Sequence, residues 1–167
     1  MARTLSALAG MMFLMPMATA AQEVCTLCRP ASSADERPLS IEIASNLVFS
    51  RLALTGKGDA QAAIDPQTGA KRTAGGVVDL GGNAIQGRAR ITGMPNRAVR
   101  VSFPDTVTMT STTGGTAVLT DFATDLPPWP VLDDSGSLEF GFGGSLRLSG
   151  PVGGALRGRI PISVDYN

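Results

Sequence analysis

The chain of 167 residues carries fourteen Lys and Arg against fourteen Asp and Glu, and no His. A near-neutral chain with dispersed charges lacks the basic footprint that binds nucleic acid, and without an imidazole it has no base for Ser-His-Asp or Cys-His catalysis. Only two Cys are present, so a zinc site would lack two of its ligands.

The first element in chain order is residues 1–20, with Arg3, the apolar run "LSALAGMMFLMPMATA" and small residues at Ala18 and Ala20. That layout predicts a secretory signal peptide cleaved after Ala20. The run is interrupted by Pro16 and falls short of the roughly 20 residues that span a bilayer, so no permanent membrane anchor is expected. Residues 21–37 form a polar lead-in containing Cys25 and Cys28 in "CTLCR". In an exported protein the two are expected to form a local disulfide, which closes too short a loop to stabilise the fold much. A thioredoxin-type redox pair competes with that reading, but no strand-helix-strand pattern surrounds it. Haem attachment would need His where Arg29 stands, and Val24 is bulky for a residue preceding a lipidated Cys.

From residue 38 to 167 the pattern is one of short strands between Gly and Pro turns. "LSIEIAS" sets Leu39, Ile41 and Ile43 on one face, and "LVFSRLAL" is apolar on both faces, as a buried strand would be. "QAAIDPQTGAKR" holds a strand and a turn over 65–69, and "GGVVDLGG" is a strand bracketed by glycines. "QGRARITG" turns Ala89 and Ile91 inward, "RAVRVSFP" turns Val99, Val101 and Phe103, and "TVTMTST" turns Val107 and Met109. "GTAVLTDFA", the proline-rich crossing "DLPPWPVLDDSG" and "SLEFGFGGSLRLSG" follow. The last strand runs through Leu156, Ile160, Ile162, Val164 and Tyr166, all at even positions. Strands at this spacing, with no helical periodicity, predict an all-β, immunoglobulin-like antiparallel β-sandwich.

The segments "PLSIEIASNLVFSRL", "RITGMPNRAVRVSFP", "GSLEFGFGGSLRLSG" and "GALRGRIPISVDYN" resemble, in order, the bacterial family called domain of unknown function 4402. The chain departs from it at Ser50, where the family commonly has Gly. The resemblance implies an exported β-rich domain near bacterial surface fibres, with no catalytic residues to carry over.

Asp133 and Asp134 are adjacent in "PVLDDSGS", whereas glycosidases set two carboxyls across a cleft; the residue types here predict a turn. "GFGGSL" would need a following helix to bind phosphate, so its glycines are expected to mark a bulge or a close backbone approach. No catalytic residue, metal ligand or cofactor is predicted. Trp129, the only Trp, either caps one end of the core or stands exposed as a ligand contact.

The ending is similar to the C-terminal strand of pilus subunits assembled by a chaperone and usher, which alternates apolar residues before a penultimate aromatic. Tyr166 is penultimate, Gly154 is fourteenth from the end, and Ile160, Ile162 and Val164 alternate between them. These five residues are the predicted partner-strand positions in a pilin-like sandwich. Pro161 lacks an N–H and so marks an edge. The expectation is therefore a non-enzymatic exported fimbrial subunit, structural or adhesin-like, with a periplasmic chaperone, an usher or other subunits as partners. A free-standing binding domain for carbohydrate or an envelope protein is the alternative. The lead-in itself is a poor donor strand, offering only Val24 and Leu27 as large apolar residues.

Overall fold

Alternating apolar residues between turn formers produce strands throughout, and among the described residues every regular element is a strand. The computed structural model describes residues 37–56, 59–149, 152 and 154–167. The expected signal peptide and the Cys25/Cys28 pair lie outside the described residues.

The strands are β1 (Ser40–Ser45), β2 (Leu52–Leu54), β3 (Ala60–Ile64), β4 (Lys71–Gly75), β5 (Val77–Asp79) and β6 (Gly87–Thr92). They continue with β7 (Val99–Ser102), β8 (Thr106–Ser111), β9 (Thr116–Thr124), β10 (Ser137–Leu148), β11 (Leu156–Arg157) and β12 (Ser163–Tyr166). The main sheet runs β1-β6-β10-β9-β8-β11, with β3 and β4 attached through β10, while β12-β7 and β2-β5 form two small sheets. All pairings are antiparallel. The result is the all-β antiparallel sandwich predicted from the strand spacing.

β10 organises both halves of the sandwich. Its first half, Ser137 to Phe142, pairs with β6, and Gly144 to Leu148 pairs with β3 on the same edge. The opposite edge holds β9 from Phe142 onward. Its even-numbered side chains point inward along the whole length, so Phe140 and Phe142 enter one core cluster and Leu146 and Leu148 another. The first cluster joins Ala89, Ile91, Val99 and Leu132, which places β7 over β6 and β10. The second joins Ala62, Ile64, Val77 and Leu119, with Leu52 and Leu54 of β2 packed on it. Leu47 and Ile160 touch both clusters.

"LVFSRLAL" does not form the single buried strand expected from its composition. Val48 makes only an isolated bridge to Ile85, and regular pairing resumes at Leu52. The break is at Ser50, whose φ of 66° lies in the left-handed region, disfavoured for a residue with a Cβ. Its hydroxyl donates to the Gly81 carbonyl at 2.8 Å, which offsets part of that cost. The kink at this position is thus formed with Ser in place. Ser50→Gly is expected to stabilise the fold by about 0.5 kcal/mol, the relief at positive φ outweighing one exposed hydrogen bond. A small rise in the urea midpoint would show it, and a fall would mean the hydroxyl bond dominates.

The terminal segment also differs from expectation. Leu156 through Tyr166 is not one strand: β11 pairs with β8, β12 pairs with β7, and residues 158–162 cross between the sheets without regular pairing. Pro161 in the crossing has no N–H to give to a ladder. The alternation survives the break, since Leu156, Ile160, Ile162, Val164 and Tyr166 are half-buried and the odd positions are exposed.

Candidate functional site

The crossing from β11 to β12 forms one wall of an apolar groove. Gly158 lies against Met109 and the Thr108 carbonyl, so that a Cβ there would come within 3.0 Å of the Met109 side chain. Ile160 and Ile162 then line the wall beyond it. The opposite wall is built by the end of β1 and the irregular stretch after it, with Ile43, Leu47 and Phe49. β1 loses its regular register with β6 between Ile43 and Ser45, and Ile43 remains 45% exposed. The floor is core: Val107, Leu119 and Phe142 are all buried, yet they line this opening of about 470 Å³. A second opening of about 320 Å³ shares Leu47, Phe49, Met109 and Leu156 and continues past Leu52 and Leu54 to Val152 and Gly154.

Among the described residues, each side of this groove includes backbone outside the regular ladders: the outer edge of β1 and the crossing over residues 158–162. β1 ends the order of the main sheet and pairs with β6 alone among the described strands. In β12, which follows the groove-lining crossing, the Asn167 N–H donates to the Ala98 carbonyl at 3.0 Å, which places Ser163 and Asp165 in the hydrogen-bonded pairs with β7. In an antiparallel ladder the intervening residues face the other way. The N–H and C=O groups of Val164 and Tyr166 therefore point to an edge that no described strand occupies.

Tyr166 ties the end of β12 to the residues before β1 and after β6. Its hydroxyl donates to the Arg37 carbonyl at 2.6 Å and accepts the Met94 N–H at 2.8 Å, and the Arg97 guanidinium lies 5.4 Å from the ring centroid. Val164 packs with Tyr166 on the cluster around Ile91. The five predicted partner-strand residues are thus divided: Ile160 and Ile162 line the main groove, Gly154 lines its extension, and Val164 and Tyr166 anchor β12. Leu47, Phe49 and Leu156 form the walls with them and were not singled out as site residues. For Leu47 and Phe49 the signal was the run "LVFSRLAL", apolar on both faces because it borders both the core and the groove.

Trp129 does not cap the core. It stands 75% exposed in the loop between β9 and β10 and lines a different cavity. The Asp133 carboxylate is a turn organiser, accepting the Ser135 hydroxyl at 2.6 Å and the N–H groups of Ser135 and Ser137 at 2.9 and 2.8 Å. The glycines of "GFGGSL" lie within β10, where the pairing with β9 shifts between Gly143 and Ser145, as expected of a bulge.

The Ser135 hydroxyl, followed by the Ser137 N–H, holds the Asp133 carboxyl below its ordinary pKa. Asp65 is lowered in the same way, first by the Thr68 N–H. A depressed carboxyl adds stability that is fully present above its unfolded pKa of about 4 and is lost as pH falls through the lower folded value. Asp133→Asn, which keeps an acceptor but does not titrate, is expected to flatten the fall in stability below about pH 4. Urea unfolding at a series of acidic pH values measures this, and an unchanged slope would remove Asp133 from the account.

Searches of curated proteins and of solved structures return no match to the chain. The family model described as domain of unknown function (DUF4402) matches residues 39–166. That span runs from the residue before β1 to the last residue of β12 and includes both walls and the floor of the groove, so the chain belongs to the DUF4402 family.

Proposed function

We propose that this protein is a non-enzymatic, exported subunit of a surface fibre, and that its groove receives a β-strand from another polypeptide. The observation that carries the reading is the groove itself, an apolar trough floored by Leu119 and Phe142 between the end of β1, whose outer edge no described strand occupies, and the crossing over residues 158–162, which joins no ladder. Open edges beside apolar side chains promote association unless they are covered. An added strand satisfies both the backbone and the side chains: main-chain hydrogen bonds give affinity and pockets for alternate side chains give register. Each large apolar residue seated there contributes about 1.5–3 kcal/mol. Arg157 and Arg159 line the same wall, which favours a donor strand with acidic residues at its outward positions. The donor comes from a chaperone during export and from the next subunit in the fibre.

The test is to express the chain from Ala21 onward, alone and together with a periplasmic chaperone from the same gene cluster. The chain alone is expected to associate or aggregate, and the chaperone to hold it as a soluble one-to-one complex. Ile160→Ser with Ile162→Ser is expected to weaken that complex at least tenfold through lost burial. A stable, soluble monomer whose melting temperature does not change with an added alternating Val/Leu strand peptide would overturn the proposal.

A further inference from the structure

Trp129 offers a large aromatic surface to solvent from a loop that is fixed in place. Pro127, Pro128 and Pro130 surround it, and proline restricts φ to near −65°. The loop is also hydrogen-bonded at both ends. The Asp125 carboxylate accepts the Gly141 N–H at 2.8 Å before the prolines. After them, the Pro130 carbonyl accepts the Val99 N–H and Leu132 donates to the Arg97 carbonyl, both at 3.0 Å. The exposure of the indole is therefore built into the fold.

The ring borders a cavity of about 320 Å³, at the small end of the range for ligand sites. Phe103 and Phe122, stacked with centroids 5.5 Å apart, supply apolar lining. The polar lining is of a different kind from that of the groove. Arg100 donates to the Asn167 side-chain oxygen at 3.2 Å, which leaves the other guanidinium N–H groups and the Asn167 amide for a ligand. Thr124 adds a hydroxyl. Val101 pairs with Val164 in the ladder position that turns its own N–H and C=O away from β12 and toward the edge that Val99 shares with Pro130.

We infer that this cavity is a saccharide-binding site, with Trp129 stacking on the apolar face of a pyranose and Arg100, Asn167 and Thr124 hydrogen-bonding its hydroxyls. A sugar ring combines a C–H face with hydroxyls that both donate and accept, which is the combination lining the cavity. A peptide strand fits less well, because the loop at Pro130 and Val131 already occupies this edge of β7 and leaves only Val101 free to pair. Among the described residues Arg100 is the one charged residue that lines the cavity, so neutral and acidic sugars both suit it. The site is separate from the groove and does not depend on strand exchange.

Because Trp129 is the only Trp in the chain, its intrinsic fluorescence reports on this cavity alone. Lactose, N,N′-diacetylchitobiose and sialyllactose are the probes, the first two neutral and the third acidic. At least one is expected to change the emission saturably, and isothermal calorimetry is expected to give the same affinity. By calorimetry Trp129→Ala is expected to weaken binding about tenfold or more, Trp129→Phe to restore part of it, and Arg100→Gln to weaken it about fivefold. The Ile160/Ile162 double Ser variant should bind the sugar like the unmodified chain, which separates failure of this site from failure of the groove. The proposal is overturned if none of the three sugars binds, or if Trp129→Ala binds as tightly as the parent. Fluorescence changes on adding the chaperone without any on adding sugar would likewise overturn it, marking the loop as a protein contact.

Discussion

Phe142→Ala is expected to remove about 3–5 kcal/mol of stability, the cost typical of emptying a buried aromatic site. The ring is 3% exposed, lies over Gly87 where any Cβ would strike it, and sits 5.7 Å from Phe103 and 6.3 Å from Phe140 between centroids. Gly87 is opposite Phe142 in the β6–β10 ladder, so no neighbouring side chain on that strand can fill the space. Small domains have about 5–15 kcal/mol in total, and the loss would take a large share of it. Phe142 also floors the groove, so the variant should lose strand acceptance along with stability. Phe142→Leu keeps most of the volume and should cost less than half as much. Urea unfolding with an unchanged m-value is the measurement, and a loss under about 1 kcal/mol would mean the groove already solvates this ring.

Gly143→Val is expected to be nearly as damaging for a different reason. A Cβ at Gly143 would be driven into the Ile64 carbonyl oxygen and would lie 3.2 Å from the Pro66 nitrogen. Both are backbone, which cannot rotate aside as a side chain can. β3 would have to withdraw from β10, breaking the ladder that begins at Gly144↔Ile64 and opening the cluster that contains Ala62 and Ile64. A cost of about 3 kcal/mol or more follows from overpacking combined with lost pairing. Gly114→Ala is the control: its φ is 90° but the space around it is open, so it should cost only about 1 kcal/mol. Equal losses in the two variants would show that the contact with Ile64 is not what makes Gly143 necessary.

The two proposals assign different tasks to different parts of one sandwich. Strand acceptance uses the trough between β1 and the crossing that leads to β12, and sugar binding uses the loop between β9 and β10. Assembly through the first would leave the second available on each subunit, and many weak sites on one fibre bind a surface far more tightly than any one of them alone.

What could be read from the sequence was local. Ala89 and Ile91 alternate with Arg88 and Arg90, and the structure buries the first pair and exposes the second, because side chains in a strand point to opposite faces whatever the partner strand is. The turn at Asp133 was legible for the same reason, since its carboxylate bonds N–H groups only two and four residues away. Tertiary structure decided the rest. Whether Leu156 and Tyr166 belong to one strand or two depends on β8 and β7 competing for the same segment across a Gly and a Pro, and alternation is blind to which sheet a strand joins. The exposure of Trp129 depends on Val99 and Arg97 bonding the far side of its loop. The groove exists only because the end of β1 and the crossing that leads to β12, far apart in the chain, flank the same stretch of core, and an edge left open among the described strands is a property of the assembled sheet order that no single segment encodes.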